Sequence, residues 1–475
     1  MKMNPKSHQA QPDHRIWRLT SISHRFRIFL CAFVFVWFGC SVLYDYSWAG
    51  GRSGLETFPL IDLSDLQRVL VVAPHPDDET LGAAGLIQVA LEGGAEVKVV
   101  FVTNGDGQAL APLVIERRVK PQAGDYIALG EHRQKEAISA LQKLGLGTTD
   151  IYFLGYPDRY IQRLWISDWQ NDCPIQTAFT RASYSPYPSA YKLEADYCGM
   201  SLYMDLYQIL TDYQPDVIVL PHPNDDHPDH RATADFSRLA LAFIRANNPD
   251  YRPLTLGYLV HYSYYPQPRG ERVSASLVPP TPLAGTRNPW LRLDLGEEQA
   301  MRKSQAVRQY ASQLRLMRNF LLSFARANEI YDELSLKEVG PLDLQILQLD
   351  EQGPGELTIA EPASENTRQL LLKGADLIGW RIARFGNQLI ITADTRGKLV
   401  PGLQYRILLK TPDGNTHGYT LKSSEVSSYF SSFRAQIDLL EVGAPPVLGF
   451  AAEVSKGAVL DRTGWGFVIL SEWLP

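Results

Sequence analysis

Hydrophobic and polar positions alternate in blocks along the middle of the chain. A short apolar run at 69–73 is followed by a helical pattern at 79–91, which Gly93 and Gly94 end, and then by a second apolar run at 97–103. Short β-type runs joined by helical stretches are typical of parallel strands connected by covering helices. The pattern therefore predicts an α/β fold with a Rossmann-like, mostly parallel sheet and helices on both faces.

The alternation continues as far as residue 334. The further predicted elements are a helix at 131–144, a strand at 150–154, a helix at 202–213, a strand at 217–220, a helix at about 231–245 and a helical stretch at 297–334. Residues 159–200 are rich in Tyr, Pro and Trp and are predicted to form an irregular insertion. Such insertions commonly shape a binding cleft.

The pattern changes in the last part of the chain. From residue 354 onward there is no helical period, and the short β-type runs lie at 388–392, 405–409, 447–453 and 466–470. Turn sequences such as Thr411-Pro-Asp-Gly414 separate them, as in a β-sheet domain. We therefore expect two folded domains, an α/β domain at 55–345 and an all-β sandwich at 354–475.

The amino-terminal segment combines positive charge with a 17-residue uncharged apolar run at 28–44. A run of this length lies at the short end of the roughly 17–25 residues that span a bilayer. Because basic residues stay in the cytoplasm, we expect a cytoplasmic tail at 1–27, a transmembrane signal anchor at 28–48, and the remainder outside the cytoplasm, facing the periplasm if the host is bacterial. A signal peptide cleaved near the small residues Ser47 and Ala49 is the alternative.

Composition limits the chemistry of the exported part. A net charge of −6 gives no broad cationic field for a nucleic acid. None of the four cysteines lies in a CxxC pair, so a metal site would have to use His and Asp. Cys173 and Cys198 could form one disulfide in an oxidising compartment, or they could remain buried thiols.

Two clusters of His and Asp follow two of the predicted strands. The first is Ala73-Pro-His-Pro-Asp-Asp-Glu-Thr-Leu-Gly82, and the second is Pro221-His-Pro-Asn-Asp-Asp-His-Pro-Asp-His230. Because the carboxyl ends of parallel strands meet at one edge of a sheet, both loops are expected at the same place. Two solvated turns in which Asp and Pro are simply common would be the structural alternative.

Imidazole and carboxylate groups in this arrangement suit a divalent metal with nitrogen and oxygen ligands. His75, Asp78 and His230 form the best set of three protein ligands. Three ligands with an open fourth position are typical of catalytic rather than structural zinc. The clusters therefore predict a Zn²⁺ site, although iron or cobalt would suit the same ligands.

Three further members of the clusters complete a catalytic group. Asp77 lies beside the metal as a free carboxylate that could act as base. His227 could stabilise the oxyanion, and Asp229 could hydrogen-bond to the metal ligands. A metal-activated water, a base and an oxyanion donor are the requirements for hydrolysis of an amide.

Both clusters resemble the LmbE/PIG-L family of zinc-dependent N-acetylglucosaminyl deacetylases, whose motifs are present as Pro-His-Pro-Asp-Asp-Glu79 and His-Pro-Asp-His230. The resemblance covers about residues 67–340. It implies the same ligands, with Asp77 as base and His227 stabilising the tetrahedral intermediate or protonating the departing amine.

Weaker matches imply further site residues. By the resemblance, Arg133 and Asp158 would contact the sugar, and Ser312-Gln313 is similar to a late motif of the family. Two features depart from the family: the expected exported position differs from the cytosolic eukaryotic glycolipid deacetylase, and the insertion at 159–200 is larger than in its simplest members. The same glycolipid or a small thiol-sugar cannot therefore be assumed as substrate.

The sequence thus predicts a membrane-anchored deacetylase that acts on an N-acetylated sugar in a glycan or glycoconjugate. A zinc amidase acting on another conjugated amino compound is an alternative. Another is a catalytically silent glycan-binding or assembly protein, in which Tyr419, Tyr429 and Trp465 could stack on sugar rings, although the favoured interpretation of these aromatics is that they belong to the sandwich core.

Overall fold

The computed structural model describes residues 58–63, 66–108, 120–170, 172, 174–284, 290–338, 357–360, 372–422, 426 and 428–470. The expected cytoplasmic tail and signal anchor lie outside these residues. Among the helices within them, none is both long and apolar enough to cross a membrane. The anchor therefore stays a prediction.

A seven-stranded sheet lies at the centre of the amino-terminal half. Its strands are β1 (Arg68–Ala73), β2 (Glu96–Thr103), β3 (Ile151–Tyr156), β4 (Val217–Pro221), β5 (Leu254–Tyr258), β6 (Trp290–Asp294) and β7 (Asn328–Glu333). They are ordered β3-β2-β1-β4-β5-β7-β6. β1 to β5 run parallel, whereas β7 is antiparallel to its neighbours β5 and β6. The predicted mostly parallel sheet is confirmed.

Helices cover both faces of this sheet. They are α1 (Asp78–Glu92), α2 (Ala123–Leu144), α3 (Ile161–Ile166), α4 (Gly199–Tyr213), α5 (Pro228–Asn247), α6 (Thr281–Ala284), α7 (Glu297–Val307) and α8 (Ala311–Leu322). Side chains of a strand alternate between its faces. Accordingly, Val69 and Val71 of β1 belong to the core under α1 and α2, while Leu70 and Val72 belong to the core under α3, α4 and α5.

Two predicted helices have different bounds. α2 begins eight residues before the predicted Glu131, where the backbone N of Gln122 donates to the Asp125 carboxylate at 2.8 Å and fixes the first turn. The helical stretch predicted to reach residue 334 is wrong beyond Leu322, because β7 follows. The strand pattern of β7 is hidden because three of its buried positions carry the polar residues Asn328, Glu329 and Asp332.

The insertion at 159–200 contains the short helix α3 and is otherwise mostly turns and single bridges. Cys198 precedes α4 and is buried, and its sulfur accepts a hydrogen bond from the backbone N of Ser201 at 3.4 Å. Cys173 lies outside the described residues. A disulfide between the two cysteines therefore stays a prediction.

The last part of the chain forms two further sheets, as the sequence predicts. Their strands are β8 (Lys337–Glu338), β9 (Leu357–Ala360), β10 (Leu377–Phe385), β11 (Gln388–Thr395), β12 (Gln404–Lys410), β13 (Thr416–Thr420), β14 (Ser432–Asp438), β15 (Val447–Lys456), β16 (Ala458–Arg462) and β17 (Gly466–Ile469). One sheet has the order β14-β11-β10-β9. The other has the order β13-β12-β15-β17-β8, with β16 paired to β15.

The central strands β12, β15 and β17 of the larger sheet are buried on both faces. Ile407 and Leu409 of β12 pack into the core between the two sheets, whereas Leu408 faces the core that contains α3 and α5. Trp465 also belongs to that second core and is buried, so it is not available to stack on a sugar ring. Tyr419 is half-buried and Tyr429 is 85% exposed.

Candidate metal centre

The two His/Asp clusters meet at one edge of the seven-stranded sheet. The first follows β1 and the second follows β4, and these strands are hydrogen-bonded neighbours that run in parallel. α1 begins at Asp78 and α5 begins at Pro228, so each cluster lies in the turn between a strand and a helix. This topology brings together side chains that are about 150 residues apart in sequence.

The carboxylate of Asp78 lies between His75 and His230. Oδ2 of Asp78 lies 3.1 Å from Nδ1 of His75 and 3.1 Å from Nε2 of His230. The centroids of the two imidazole rings are 5.3 Å apart. Asp78 and His230 are buried, whereas His75 keeps some exposure towards a cleft.

The hydrogen bonds of His230 fit a metal ligand. Its Nδ1 lies 3.1 Å from Oδ2 of the buried Asp225, which assigns the Nδ1 proton to that contact. Nε2 is buried and makes no hydrogen bond within the described chain, although it faces Asp78. A carboxylate that fixes one ring nitrogen and leaves the other free is the usual support for a metal-binding His. The donor set therefore suits a zinc-type ion.

The charges of the cluster favour a bound cation. Burial alone would lower the pKa of His75, but the carboxylates of Asp158, Asp229 and Asp78 raise it well above its usual value. Burial would likewise lower the pKa of His230, whereas Asp225 and Asp78 raise it to about 10. A proton and a metal ion compete for the same nitrogen atoms, so metal binding here releases protons.

Asp77 is held in a strained backbone conformation at the start of α1. Its φ is 133°, in the region that favours glycine, and its side chain makes no capping hydrogen bond to the helix. Its backbone N donates to the buried carboxylate of Glu79 at 3.2 Å, and Tyr310 donates to the same carboxylate. Backbone strain of this kind commonly occurs at functional sites. Burial and the neighbouring Asp78 raise the pKa of the Asp77 carboxyl.

His227 presents one ring nitrogen to the cleft. Its Nδ1 accepts a hydrogen bond from the backbone N of Asp229 at 3.2 Å. The neutral ring must then carry its proton on Nε2. Burial, followed by the nearby His75 and His230, lowers the pKa of His227 to about 2, so the ring is neutral near pH 7.

The carboxylates of Asp158 and Asp229 both contact Nε2 of His75. Nε2 of His75 lies 3.3 Å from Asp158 and 3.4 Å from Asp229. Asp229 also accepts from the backbone N of Arg159 at 2.6 Å and of Ile161 at 3.1 Å. Asp229 is fully buried, whereas Asp158 also lines the cleft. Both carboxylates are therefore placed to orient His75. For Asp158, this role differs from the predicted contact with the sugar.

A cleft of about 170 Å³ opens over the cluster. Its walls include His75, Asp77, Asp78, Gln108, Arg133, Asp158, His227, His261, Gln313, Met317 and Phe320. Arg133 donates to the carbonyl of Gly105 at 2.6 Å, and Gln313 donates to the carbonyl of Pro76. Ser312 instead bonds the buried carboxylate of Glu136 at 2.5 Å. Of the predicted Ser-Gln pair, only Gln313 faces the cleft.

Two residues of this site are missing from the sequence predictions. Asp225 was part of the second cluster but had no assigned role. His261 has its ring centroid 4.9 Å from that of His230 and is stacked on Phe320. His261 lies three residues beyond the end of β5, so recognising that strand would have marked this residue as a candidate.

The part of the chain that forms this site is similar in sequence to known proteins. A family model described as PIG-L, GlcNAc-PI de-N-acetylase, matches residues 70–241. A 1D-myo-inositol 2-acetamido-2-deoxy-alpha-D-glucopyranoside deacetylase from Kribbella flavida is 30% identical over 193 residues, which are 39% of this chain and 58% of the relative. The protein of the same name from Mycobacterium sp. (strain KMS) is 31% identical over 175 residues, covering 35% of this chain and 47% of the relative.

The chain thus spans about half the length of the curated relatives that it matches. Among solved structures, the N,N'-diacetylchitobiose deacetylase from Pyrococcus horikoshii aligns with 57% of this chain and 81% of its own, at 21% identity and a TM-score of 0.34. The family match contains all three predicted metal ligands. Residues 70–241 of this chain therefore form a domain of the PIG-L family.

Proposed function

We propose that the protein is a zinc-dependent N-deacetylase that hydrolyses the acetamide of an N-acetylated amino sugar to a free amine and acetate. The PIG-L domain and the deacetylase names of the curated relatives support this reaction class. The sugar is proposed as a unit of a glycan or glycoconjugate.

One observation carries the proposal: a free carboxylate and a neutral imidazole face the same cleft as a three-residue metal site. His75, Asp78 and His230 would hold the zinc ion. A zinc ion at this place lowers the pKa of a water molecule and polarises the acyl carbonyl. The remaining chemistry falls to side chains of this chain.

Asp77 is the base in this scheme. Its carboxylate is adjacent in sequence to the ligand Asp78, lines the cleft and is not used for helix capping. It takes the proton of the attacking water, and the same carboxyl group can then deliver that proton to the departing amine.

His227 stabilises the negative charge that develops on the acyl oxygen. Because its Nδ1 accepts from the backbone, Nε2 carries the proton and can donate to the oxyanion. Asp158 and Asp229 hold His75 in place, and Arg133 is positioned to bind a sugar hydroxyl from the wall of the cleft.

Replacing Asp77 with Asn tests this assignment. We expect Asp77→Asn to reduce acetate release from N-acetylglucosamine-containing glycans by roughly 10²- to 10⁴-fold, because the amide cannot accept the proton. Bound zinc should stay at the wild-type level, since Asp77 is not one of the three ligands. Acetate release and zinc content are measured on the full-length chain, with Asp212→Asn, an exposed position on α4, as the control.

A chelator should abolish the activity of the wild type and of the control, and added zinc should restore it. Zinc binding without acetate release from any N-acetylated sugar would contradict the proposal. That result would favour a different acyl group or a binding role.

A further inference from the structure

Lys410, at the end of β12, is buried against the α/β half of the chain. Its amino group donates to the backbone carbonyl of Trp165 at 2.9 Å, to the carbonyl of Gly414 at 3.3 Å and to the hydroxyl of Thr416 at 3.3 Å. It lies 4.9 Å and 4.2 Å from the ring centroids of Trp165 and Trp169. Lys410 is 1% exposed, so these contacts replace its hydration.

The carbonyl of Trp165 lies in the last turn of α3, where a cation interacts favourably with the helix dipole. The other end of this six-residue helix is attached to the metal centre. The backbone N of Ile161, its first residue, donates to Asp229, and so does that of Arg159 just before it. Asp158 and Asp229 in turn contact His75. A helix of this length spans only about 9 Å.

The same β-sheet also fixes the helix that carries the second cluster. Arg238 of α5 donates to the carbonyl of Trp465 at 2.9 Å and stands over the ring of Phe467 at 5.0 Å. Phe236 of α5 packs against Trp165, with ring centroids 4.9 Å apart. Both elements that orient the proposed ligands therefore rest on the larger carboxyl-terminal sheet.

We propose that Lys410 is a positioning residue for the metal centre, which acts through α3 on Asp158, Asp229 and His75. This inference rests on the metal site of the proposed function. A buried polar network fixes one arrangement when all of its groups are paired. Without the amino group, the Trp165 carbonyl, Gly414 and Thr416 lose their shared partner, and α3 can shift together with the carboxylates that orient His75.

Lys410→Met tests this role, because it keeps the length of the side chain but removes the amino group and its hydrogen bonds. In the full-length chain we expect binding of Zn²⁺ and Co²⁺ to weaken by up to about tenfold. This is less than the roughly 10- to 100-fold loss caused by removing a direct partner of a metal ligand, because Lys410 acts through α3. The visible absorption bands of the Co²⁺ protein, which report ligand geometry, should change as well. Thr416→Val removes one acceptor and should change the affinity and the bands less, in the same direction.

Arg381→Met is the matched control. Arg381 lies on β10 in the other carboxyl-terminal sheet and pairs with Asp394, so its loss should leave metal affinity and the Co²⁺ spectrum unchanged. Circular dichroism verifies folding, and if Lys410→Met does not fold, Thr416→Val decides the question. Unchanged affinity and spectrum in the folded variants would overturn the inference. Failure of the wild type itself to bind Co²⁺ would instead contradict the proposed function.

Discussion

The two carboxylate oxygens of Asp225 link several parts of the metal centre. Oδ1 accepts from the backbone N of His227 at 2.8 Å, and Oδ2 contacts Nδ1 of His230 and accepts from the backbone N of His261 at 2.9 Å. Burial alone would raise the pKa of Asp225, but His230 lowers it to about 2. The group is therefore an ionised acceptor across the physiological pH range.

Asp225→Asn should weaken zinc binding by roughly 10- to 100-fold. The backbone N of Val260 also donates to Oδ2, at 3.1 Å, so the carboxylate has four donors. An amide of the same shape has one acceptor oxygen in place of two, so at least one of these donors is left facing an NH₂ group. Competition with a chelator of known affinity measures the change. Asp226→Asn is the neighbouring control, because Asp226 is exposed and accepts from the backbone N of Ser263. Equal zinc affinities for the two variants would refute the assigned role of Asp225.

The proposed ligands His75, Asp78 and His230 can be identified from the sequence because they belong to two clusters that follow apolar strands. Several His and Asp side chains grouped at such a position are typical of a metal site. Asp225 and His261 cannot be assigned in the same way. The role of Asp225 depends on which of two adjacent Asp side chains turns inward, and His261 follows a strand that the apolar pattern did not reveal. Three-dimensional packing decides both.

At the level of elements, a buried ion pair contacts α1 in the middle of the helix. The carboxylate of Glu329 accepts from the backbone N of Gly85 at 2.7 Å and of Leu86 at 2.9 Å. The ammonium of Lys303 donates to the carbonyl of Leu81 at 2.8 Å and pairs with Glu329 at 2.6 Å. The helix that carries the first cluster is thereby connected to α7 and β7 through the core.

Lys303→Met should lower the free energy of unfolding by about 3–5 kcal/mol, because it leaves the Glu329 charge buried without its partner. Arg302→Met on the same helix is the control. Arg302 pairs with the exposed Glu298, and the loss of such a surface pair should cost less than about 1 kcal/mol. Denaturant unfolding of both variants measures the difference. Equal losses in the free energy of unfolding would show that the buried pair contributes no more than the surface pair.

The elements themselves could be predicted where their buried residues are apolar. β1, β2 and β4 appear as apolar runs in the sequence and were found at nearly the predicted bounds. β7 could not be predicted from the sequence, because its buried positions include the polar Asn328 and the charged Glu329. Both residues are hydrogen-bonded to partners far away in sequence. A local pattern holds no information about such partners.

At the scale of the whole molecule, Asp235 is a buried carboxyl group beneath the larger carboxyl-terminal sheet. It lies on α5 and is 5% exposed. Burial raises the pKa of its carboxyl to about 8, although Arg238, Arg231 and Lys410 oppose the shift. The folded protein therefore keeps a proton that the unfolded chain releases near pH 4.

Because the folded state holds this proton up to about pH 8 while the unfolded chain releases it above about pH 4, stability should fall as the pH rises from about 4 to about 8. The loss is at most about 1.4 kcal/mol per pH unit. Asp235→Asn does not titrate, so its free energy of unfolding should improve relative to the wild type across this window. Denaturation at several pH values tests this, with Asp212→Asn as a control whose difference from the wild type stays flat. A flat difference for Asp235→Asn would contradict the shifted pKa.

The larger carboxyl-terminal sheet, whose central strands are buried on both faces, also limits how such a chain can evolve. A module that is attached through a linker can be lost, duplicated or exchanged between genes while its neighbour remains intact. Here, removal of the carboxyl-terminal strands would uncover Trp165, whose ring contacts Trp465 and Phe467, and would leave Arg238 without the carbonyl of Trp465. Such exposed apolar surface promotes aggregation. Loss of the carboxyl-terminal half from this chain is therefore expected to make the remaining half prone to aggregation.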